Sequence, residues 1–336
     1  MKNSFDKNAE KFANLMIEKI ETISSNWQKP WFASARVCNT NHFLPQNLSG
    51  RVYAGGNAFL LFFLCEKYNY QTPIFLTFNQ AKEAGIKILK GSESFPVYYT
   101  MFCAFHRVTG EKITLDEYKN LSEEEQKEYK LVGNTKYYLV FNLDQTNFSE
   151  IYPEKWETLK KKFINNQEEA PKTEMYSNVI LDNMIKNQSW VCPIQMLPSD
   201  KAFWSFSDKI SLPLKEQFKD GESFYCTALH EMGHSTGTKD RLNRKGFYER
   251  DKDNYGREEL VAELTAALTA MFLGISATIR EENAAYLKSW CKAIKEEPKF
   301  ILTVLTDAMK ATKFIAEKLN INLDAGEQEE SKEQAA

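Results

Sequence analysis

The sequence lacks the features that place a chain in a membrane or in an oxidising compartment. Its longest apolar run, Ala58 to Cys65, has eight residues, whereas a membrane-spanning helix needs about 20. The first ten residues contain no apolar core of the kind found in a signal peptide. The six cysteines are scattered, with no Cys-x-x-Cys pair, so no disulfide framework is indicated. We therefore expect a cytoplasmic protein with no membrane partner.

A large excess of one charge is also missing, and histidine is scarce. The net charge of −3 argues against a uniformly basic nucleic-acid binder but leaves room for local basic patches. A length of 336 residues with 43% hydrophobic residues fits an ordinary folded chain, and the length favours two domains. Of only four histidines, two fall in one short segment. That segment is the main chemical signal in the sequence.

The segment contains the pattern His230-Glu231-x-x-His234. Residues four apart lie on one face of a helix, so the two imidazoles can reach a single ion. With one carboxylate they would make a three-ligand zinc site that keeps a fourth position for water. Glu231 would lie beside that water and act as the general base. The pattern predicts Zn²⁺, or another divalent transition metal such as Mn²⁺; Cys226, one turn earlier, is interpreted as a small core residue.

The third metal ligand has two candidates. Glu259 and Glu263 are four residues apart on an otherwise apolar helix, where carboxylates are costly unless they are paired or bound to metal. We favour Glu259 as the ligand and Glu263 as a residue that orients a ligand histidine. The alternative is Asp240, because the sequence from His230 also fits His-Glu-x-x-His-x-x-Gly-x-x-Asp. Asp240 also begins a polar run that is typical of a plain loop.

The segment 27–110 is locally basic, with eight lysines and arginines and three glutamates. Single-stranded nucleic acid is bound by such segments when bases stack on aromatic rings and cations follow the phosphates. The alternative is that the aromatic residues belong to the core and the charges are solvated. The basic and aromatic residues that interleave here are Trp27, Lys29, Trp31, Arg51, Tyr53, Lys87, Lys90, Tyr98 and Tyr99.

The fold class that these patterns predict is α+β, in two domains. The N-terminal half combines a long amphipathic helix over 4–26 with an antiparallel sheet, and the C-terminal half places a small sheet before the helix pair that holds the metal. A polar shift around 148–175 marks the boundary. The predicted parts are an N-terminal domain at 1–150, a linker at 151–175, a metal-binding domain at 176–323 and a disordered acidic tail at 324–336.

Several stretches, spread in order over about nine-tenths of the chain, match one known family. In the N-terminal half they include Trp27-Gln-Lys-Pro-Trp31 and the loop from Asn47 to Asn57; in the C-terminal half they run from Asp208 to the block Glu258-Glu-Leu-Val-Ala-Glu263. On these residues the chain resembles the ArdC-type antirestriction proteins of plasmids and other mobile elements. Two positions depart from the family pattern. Ser235 replaces a residue that is usually aromatic, and Gly56 replaces isoleucine in the Gly-Ile-Asn of that loop.

The resemblance implies an N-terminal domain that binds single-stranded DNA and a C-terminal zincin-like metallopeptidase domain, in a protein that protects incoming mobile DNA from host restriction. It also strengthens the preference for Glu259, because the Glu-x-x-x-Glu block recurs in the family. A protein substrate or a restriction enzyme is a further candidate partner. The candidate DNA-binding residues are Trp27, Trp31, Arg51, Tyr53, Asn57 and Lys90.

Two other functions stay open at the level of sequence. The chain could be a cytoplasmic zinc metallopeptidase whose N-terminal domain recognises protein substrates. It could also be a binding module in which the metal only stabilises the fold. The resemblance implies DNA binding by the first domain, but it does not show that the second domain cleaves peptides.

Overall fold

The structure, a computed structural model, describes residues 4–24, 44–53, 55–164, 176–249, 251–275, 277 and 286–321. Several sequence predictions lie outside the described residues. They are the roles of Trp27 and Trp31, most of the predicted linker beyond residue 164, and the acidic tail at 324–336.

The first helix, α1 (Ser4–Ser24), forms where apolar residues recur at helical spacing. Phe12, Met16 and Ile20 make one buried stripe along it, as the sequence predicted. Lys19 is also buried, and its ammonium bonds to the carboxylate of Glu66 at 3.0 Å. This pairing offsets the cost of removing both charges from water, so α1 is held to the next helix by polar as well as apolar contacts.

The second helix, α2 (Gly55–Lys67), contains the longest apolar run of the sequence. Every residue from Ala58 to Cys65 is buried, as expected for a helix that is apolar all round. It lies in the core, and its apolar run is much too short for a membrane span. Among the described residues, no helix combines the length and the apolarity that crossing a membrane requires.

A five-stranded sheet forms the rest of the N-terminal half. Its order is β1-β2-β5-β3-β4, with β1 and β2 parallel and all other pairs antiparallel. The pairing of β3 with β5 extends over the whole length of β3 and confirms the predicted antiparallel sheet. The strands are β1 (Gln46–Asn47), β2 (Ile74–Thr77), β3 (Phe95–His106), β4 (Lys112–Thr114) and β5 (Tyr129–Asn142).

Short helices connect these strands or follow the last of them. The first, α3 (Phe78–Glu83), begins with a capping box in which Thr77 and Gln80 bond reciprocally. The last, α7 (Pro153–Ile164), lies inside the segment that was predicted to be a linker, and its Phe163 is buried. The others are α4 (Leu115–Lys119), α5 (Glu123–Lys127) and α6 (Phe148–Ile151).

The C-terminal half begins with helix α8 (Val179–Lys186) and a three-stranded sheet of order β6-β8-β7. The strands are β6 (Ile194–Leu197), β7 (Phe203–Ser205) and β8 (Lys209–Pro213), so β7 forms one edge. Four helices follow these strands along the chain. They are α9 (Gly221–Ser235), α10 (Lys252–Leu273), α11 (Leu287–Glu296) and α12 (Pro298–Lys318).

Helices α9 and α10 approach closely at a glycine. A Cβ atom on Gly233 would lie 3.3 Å from Ala262 Cα and 3.3 Å from Thr265 Cβ, so a larger residue would press on the backbone of α10. The bounds of α10 follow from its caps: Asp251 accepts hydrogen bonds from the first turn, and Gly274, at φ 69°, ends the helix in the left-handed conformation. The close contact at Gly233 sets the distance between α9 and α10, the two helices that carry the metal-site residues.

The two halves share one hydrophobic core. Helix α1 packs against α11 and α12, and α2 packs against α12. Leu305 of α12 reaches Gly56, where a Cβ atom would lie 3.4 Å from its Cδ1. Glu21 and Lys295 form an ion pair at 3.2 Å across the α1–α11 contact. The first helix of the chain is therefore anchored by its last two described helices.

Candidate metal centre

Helix α9 presents both histidines to the same side. Asp220 caps its first turn by accepting a hydrogen bond from Ser223 N at 2.7 Å. Three turns on, His230 and His234 lie one turn apart, with ring centroids separated by 4.7 Å. His230 is 1% exposed, and Glu231 between them is 2% exposed. The helix thus holds two imidazoles together in a buried position, as the spacing predicted.

Helix α10 supplies the carboxylate. In the described residues, His230, His234 and Glu259 form a group whose ligand atoms lie within 4.8 Å of one another. The two carboxylate oxygens of Glu259 face the two imidazoles, at 3.3 Å from His230 Nε2 and 3.6 Å from His234 Nε2. Asp240 is exposed and is not part of this group. Of the two candidates, the structure brings Glu259 to the histidines.

The donor atoms fit a divalent transition metal. Within the described part of the chain, both ring nitrogens of His230 are buried without a hydrogen-bond partner, although carboxylate oxygens lie 3.3 Å away. Buried polar atoms are normally satisfied, so this imidazole points to an additional partner. Two imidazole nitrogens and one carboxylate are the ligands of a zinc site that keeps one position open. The residues present therefore fit the predicted ion.

A second layer of carboxylates lies behind the histidines. Glu263 Oε2 is 3.3 Å from His230 Nδ1, which agrees with the orienting position predicted for it. Glu258 Oε1 lies 3.1 Å from His234 Nδ1 and plays the same part for the other ring. Carboxylates in this position fix the tautomer and orientation of metal-binding histidines. Sequence reasoning missed Glu258, although its place directly before Glu259 was a signal.

Arg244 holds Glu258 in place. Its Nε donates to Oε2 at 2.8 Å and its Nη2 to Oε1 at 2.7 Å, a bidentate pair. The same Nη2 donates to the carbonyl oxygen of Gly233 on α9 at 3.0 Å. The Arg244 side chain is 1% exposed. The sequence does not single out this arginine, because a polar loop gives no sign that one of its charges is buried.

The electrostatics of the group follow from burial and pairing. Burial by itself lowers the pKa of His234, but the contacts with Glu258 and Glu259 outweigh it and raise this pKa to about 10. Burial raises the pKa of Glu259, yet its contacts with both histidines hold it well below the usual range. For Glu258, burial is outweighed chiefly by the Arg244 guanidinium, which lowers the pKa. Both carboxylates are therefore anionic at neutral pH and attract a cation.

Glu231, the predicted general base, lies against the edge strand β7. Its Oε2 accepts a hydrogen bond from the backbone N–H of Trp204 at 2.7 Å. The Trp204 ring belongs to an aromatic cluster with Phe206, Phe247 and Tyr248. Phe206 and Tyr248 are each more than half exposed. The base thus lies between the histidines and a sheet edge that borders a partly exposed aromatic surface.

The candidate DNA-binding residues that the structure describes lie in three places. Arg51 and Tyr53 follow β1 and are half-buried, and Lys90 is exposed in the turn between α3 and β3. Asn57 lies in α2, where its amide donates to Tyr98 O at 2.6 Å and accepts from Tyr98 N at 2.9 Å. Both ends of the Asn57 side chain therefore bind the backbone of β3, which gives this residue a structural part. Their contact with DNA stays a prediction.

Two family models match the chain. Residues 181–307 match a zincin-like metallopeptidase, and residues 6–141 match the N-terminal domain of anti-restriction factor ArdC. A crystal structure of the antirestriction ArdC protein from plasmid R388, described as metal-free, is similar at 25% identity and a TM-score of 0.62, covering 92% of this chain and 97% of that one. Its Mn(II)-bound form is similar in fold, at 24% identity and a TM-score of 0.61.

Curated relatives match over nearly the whole chain. A DNA primase TraC from Escherichia coli is 29% identical over 91% of this chain, and a second TraC from the same species is 28% identical over 90%. The chain spans only 27% and 19% of the length of these two proteins. The uncharacterized protein y4eC of Sinorhizobium fredii is 23% identical, with 90% of this chain and 89% of that protein covered.

The helix pair, the sheet before it and the buried His–His–Glu group define the second half as a zincin-like domain that can hold a divalent metal. The first half has the fold of an ArdC N-terminal domain. The two halves of the chain therefore match the two domains of an ArdC-type protein, and both the resemblance and the α+β fold class given by the sequence are confirmed.

Proposed function

We propose that this protein binds single-stranded DNA of a mobile element, shields it from host restriction, and carries a zinc-dependent peptidase centre as its effector. The observation that carries the proposal is the buried group of His230, His234 and Glu259, with Glu231 beside it, in a chain whose first half is an ArdC-type domain. DNA binding is supported by the family of the first domain and by its local basic and aromatic content. A cytoplasmic location suits this role.

The residues of the centre have distinct parts in the proposed chemistry. His230, His234 and Glu259 would hold the ion, which when bound polarises a peptide carbonyl and acidifies water. Glu231 takes the proton of the attacking water and returns it to the leaving amine. The Trp204 N–H holds the Glu231 carboxylate in one orientation. Glu263 and Glu258 lie beside the Nδ1 atoms of His230 and His234, where they orient each ring so that its Nε2 faces the ion position.

The test uses the full chain and the variant Glu231→Gln. We expect this variant to keep metal and DNA binding but to lose protection of an incoming plasmid in a restricting host. Glu296→Gln, an exposed change of the same chemistry on α11, is the control and should protect as well as the wild type. Full protection by Glu231→Gln would mean that the metal serves the fold alone.

A second candidate is a metallopeptidase whose N-terminal domain recognises proteins. The position of β7 favours it, because an exposed strand edge beside the base can align an extended peptide. This candidate predicts no binding to single-stranded DNA even at low salt. Tight binding that weakens steeply as salt is added would reject it in favour of the first proposal.

A further inference from the structure

The paired strands β3 and β5 have one face, in the half that lies next to β4, that carries only basic and uncharged side chains. Strands β3, β4 and β5 contain no aspartate or glutamate at any position. Their three lysines are all exposed, namely Lys112, Lys130 and Lys136. An acidic chain that keeps carboxylates off three neighbouring strands leaves a local positive potential there.

The strand register places these lysines on the same face as aromatic rings. Directly paired residues of antiparallel strands point to the same side of a sheet. Phe105 pairs with Lys112 on one side and with Lys130 on the other. Six residues earlier on the same strand, and therefore on the same face, Tyr99 pairs with Lys136. We call these five residues the basic face; from Tyr99 to Phe105 it is about 20 Å long, at about 3.4 Å per residue.

The opposite face of the same strands contacts a ring from the acidic helix α4. Tyr129, on that side, contacts His106 at 5.1 Å between ring centroids and Tyr118 of α4 at 6.4 Å. His106 also pairs with Glu128 at 3.4 Å. Helices α4 and α5, which pack near these residues, contain most of the local carboxylates. Of these carboxylates, Glu117 bonds the hydroxyl of Thr114, which is paired with Cys103 on the lysine side, so the separation of charge between the two faces is partial.

We propose that the basic face is a binding surface for single-stranded DNA, with Tyr99 and Phe105 as stacking platforms and the three lysines on the phosphates. This inference rests on the proposed function and gives it a location. The half-buried rings of Tyr99 and Phe105 can stack on the bases of an extended single strand. The exposed ammonium groups around them can bind its anionic backbone. Duplex DNA keeps its bases stacked internally, so the surface favours single strands.

The charge test compares two triple variants of the full chain. Lys112→Gln/Lys130→Gln/Lys136→Gln removes the charge of the basic face. The control Lys119→Gln/Lys127→Gln/Lys161→Gln removes the same charge from exposed lysines on helices α4, α5 and α7. Each phosphate contact contributes about −0.7 to the salt slope of single-strand binding, so the first variant should lose about 2 from the slope and bind about 100-fold more weakly at 0.1 M salt. The control should bind like the wild type.

The stacking test compares two phenylalanines on opposite faces. Phe105→Leu keeps apolar volume but removes the flat ring, and affinity should fall at least about 5-fold, the lower end of what one stacked base contributes. Phe102→Leu is the control, because Phe102 is 44% exposed on the other face of the same strand. It should leave affinity unchanged, and thermal melting of each variant checks that the fold is kept.

The outcomes separate this inference from the proposed function. If the wild type binds no single-stranded DNA at low salt, both fail. If the wild type binds single-stranded DNA and the basic-face variants lose no more affinity than their control variants, only the basic face is rejected as the binding surface. Cross-linking of the wild type to an oligonucleotide with 5-iodouracil needs no variant and should label the peptides of β3 or β5. Labelling confined to other peptides would also overturn the surface.

Discussion

Arg244 and Glu258 form a bidentate ion pair directly behind His234, with both nitrogen–oxygen distances below 3 Å. The arginine also binds the carbonyl of Gly233 on α9, so it links the helix of the histidines to the helix of the carboxylates. The orientation of the His234 ring is therefore determined by a residue from the loop between these helices. Four predictions concern the site and its supporting structure.

Glu258→Gln should weaken binding of a divalent metal about 10- to 100-fold, because the His234 ring loses the carboxylate that orients it and makes it a better donor. Competition with a chromophoric chelator measures the affinity. Glu296→Gln on α11 is the control for removing one negative charge. Equal affinity in the two variants would show that Glu258 does not support the site.

Glu259→Gln should abolish tight metal binding, whereas Asp240→Asn should leave it intact. Glu259 lies between the two imidazoles, and Asp240 is exposed and outside the group. Metal content after dialysis against a weak chelator distinguishes the two variants. Loss of metal in Asp240→Asn together with its retention in Glu259→Gln would reverse the assignment of the third ligand.

Gly233→Ala should lower the free energy of unfolding by about 1–3 kcal/mol, because its Cβ atom would press on Ala262 and Thr265 and force α9 and α10 apart. Gly256→Ala is the matched control on α10. A Cβ atom there meets nothing within 4 Å, so the change should stabilise the helix by about 0.5–1 kcal/mol. Urea unfolding of both variants would contradict this account if Gly233→Ala were the more stable.

Tyr225→Phe should lower the free energy of unfolding by about 1–3 kcal/mol. The Tyr225 hydroxyl donates to Asp182 at 2.6 Å and accepts from Lys215 Nζ and Asn178 N, so its removal leaves the N–H of the buried Asn178 without this acceptor and takes one partner from Asp182 and one from Lys215. Tyr248→Phe is the control, because that hydroxyl accepts a single bond from Lys239 N and the residue is 55% exposed. Thermal or urea unfolding should separate the two; equal stabilities would show that the Tyr225 bonds add nothing.

Periodic patterns were enough to predict much of this fold. Apolar spacing placed α1 to within two residues, because its buried face repeats at the helical period. Because residues four apart lie on one face of a helix, the sequence predicted that His230 and His234 lie together. The same spacing, from Glu259, pointed to Glu263 behind them. Glu259 reaches both histidines because α9 and α10 cross there. Local spacing does not predict this crossing, and its only sign in the sequence is the pair Glu259 and Glu263 on an otherwise apolar helix.

Other features depend on contacts that no local pattern contains. The burial of Arg244 and the bond from Trp204 N to Glu231 join residues from separate elements. Asn57 was chosen for DNA because it lies in a glycine-rich loop motif, but that motif starts helix α2 and its amide binds β3. The positions of these side chains depend on contacts between elements that are distant in the sequence, and secondary-structure propensity does not predict such contacts.

The packing of α1 on α11 and α12 has a consequence for synthesis of the protein. About 260 residues separate the end of α1 from the start of α11, and a ribosome adds about 5–20 residues per second. About 13–50 s therefore pass between the synthesis of α1 and the start of synthesis of α11 and α12, the helices that pack on it. During that interval the part of α1 that α11 and α12 later cover is exposed apolar surface, the kind of surface that aggregates or is bound by chaperones.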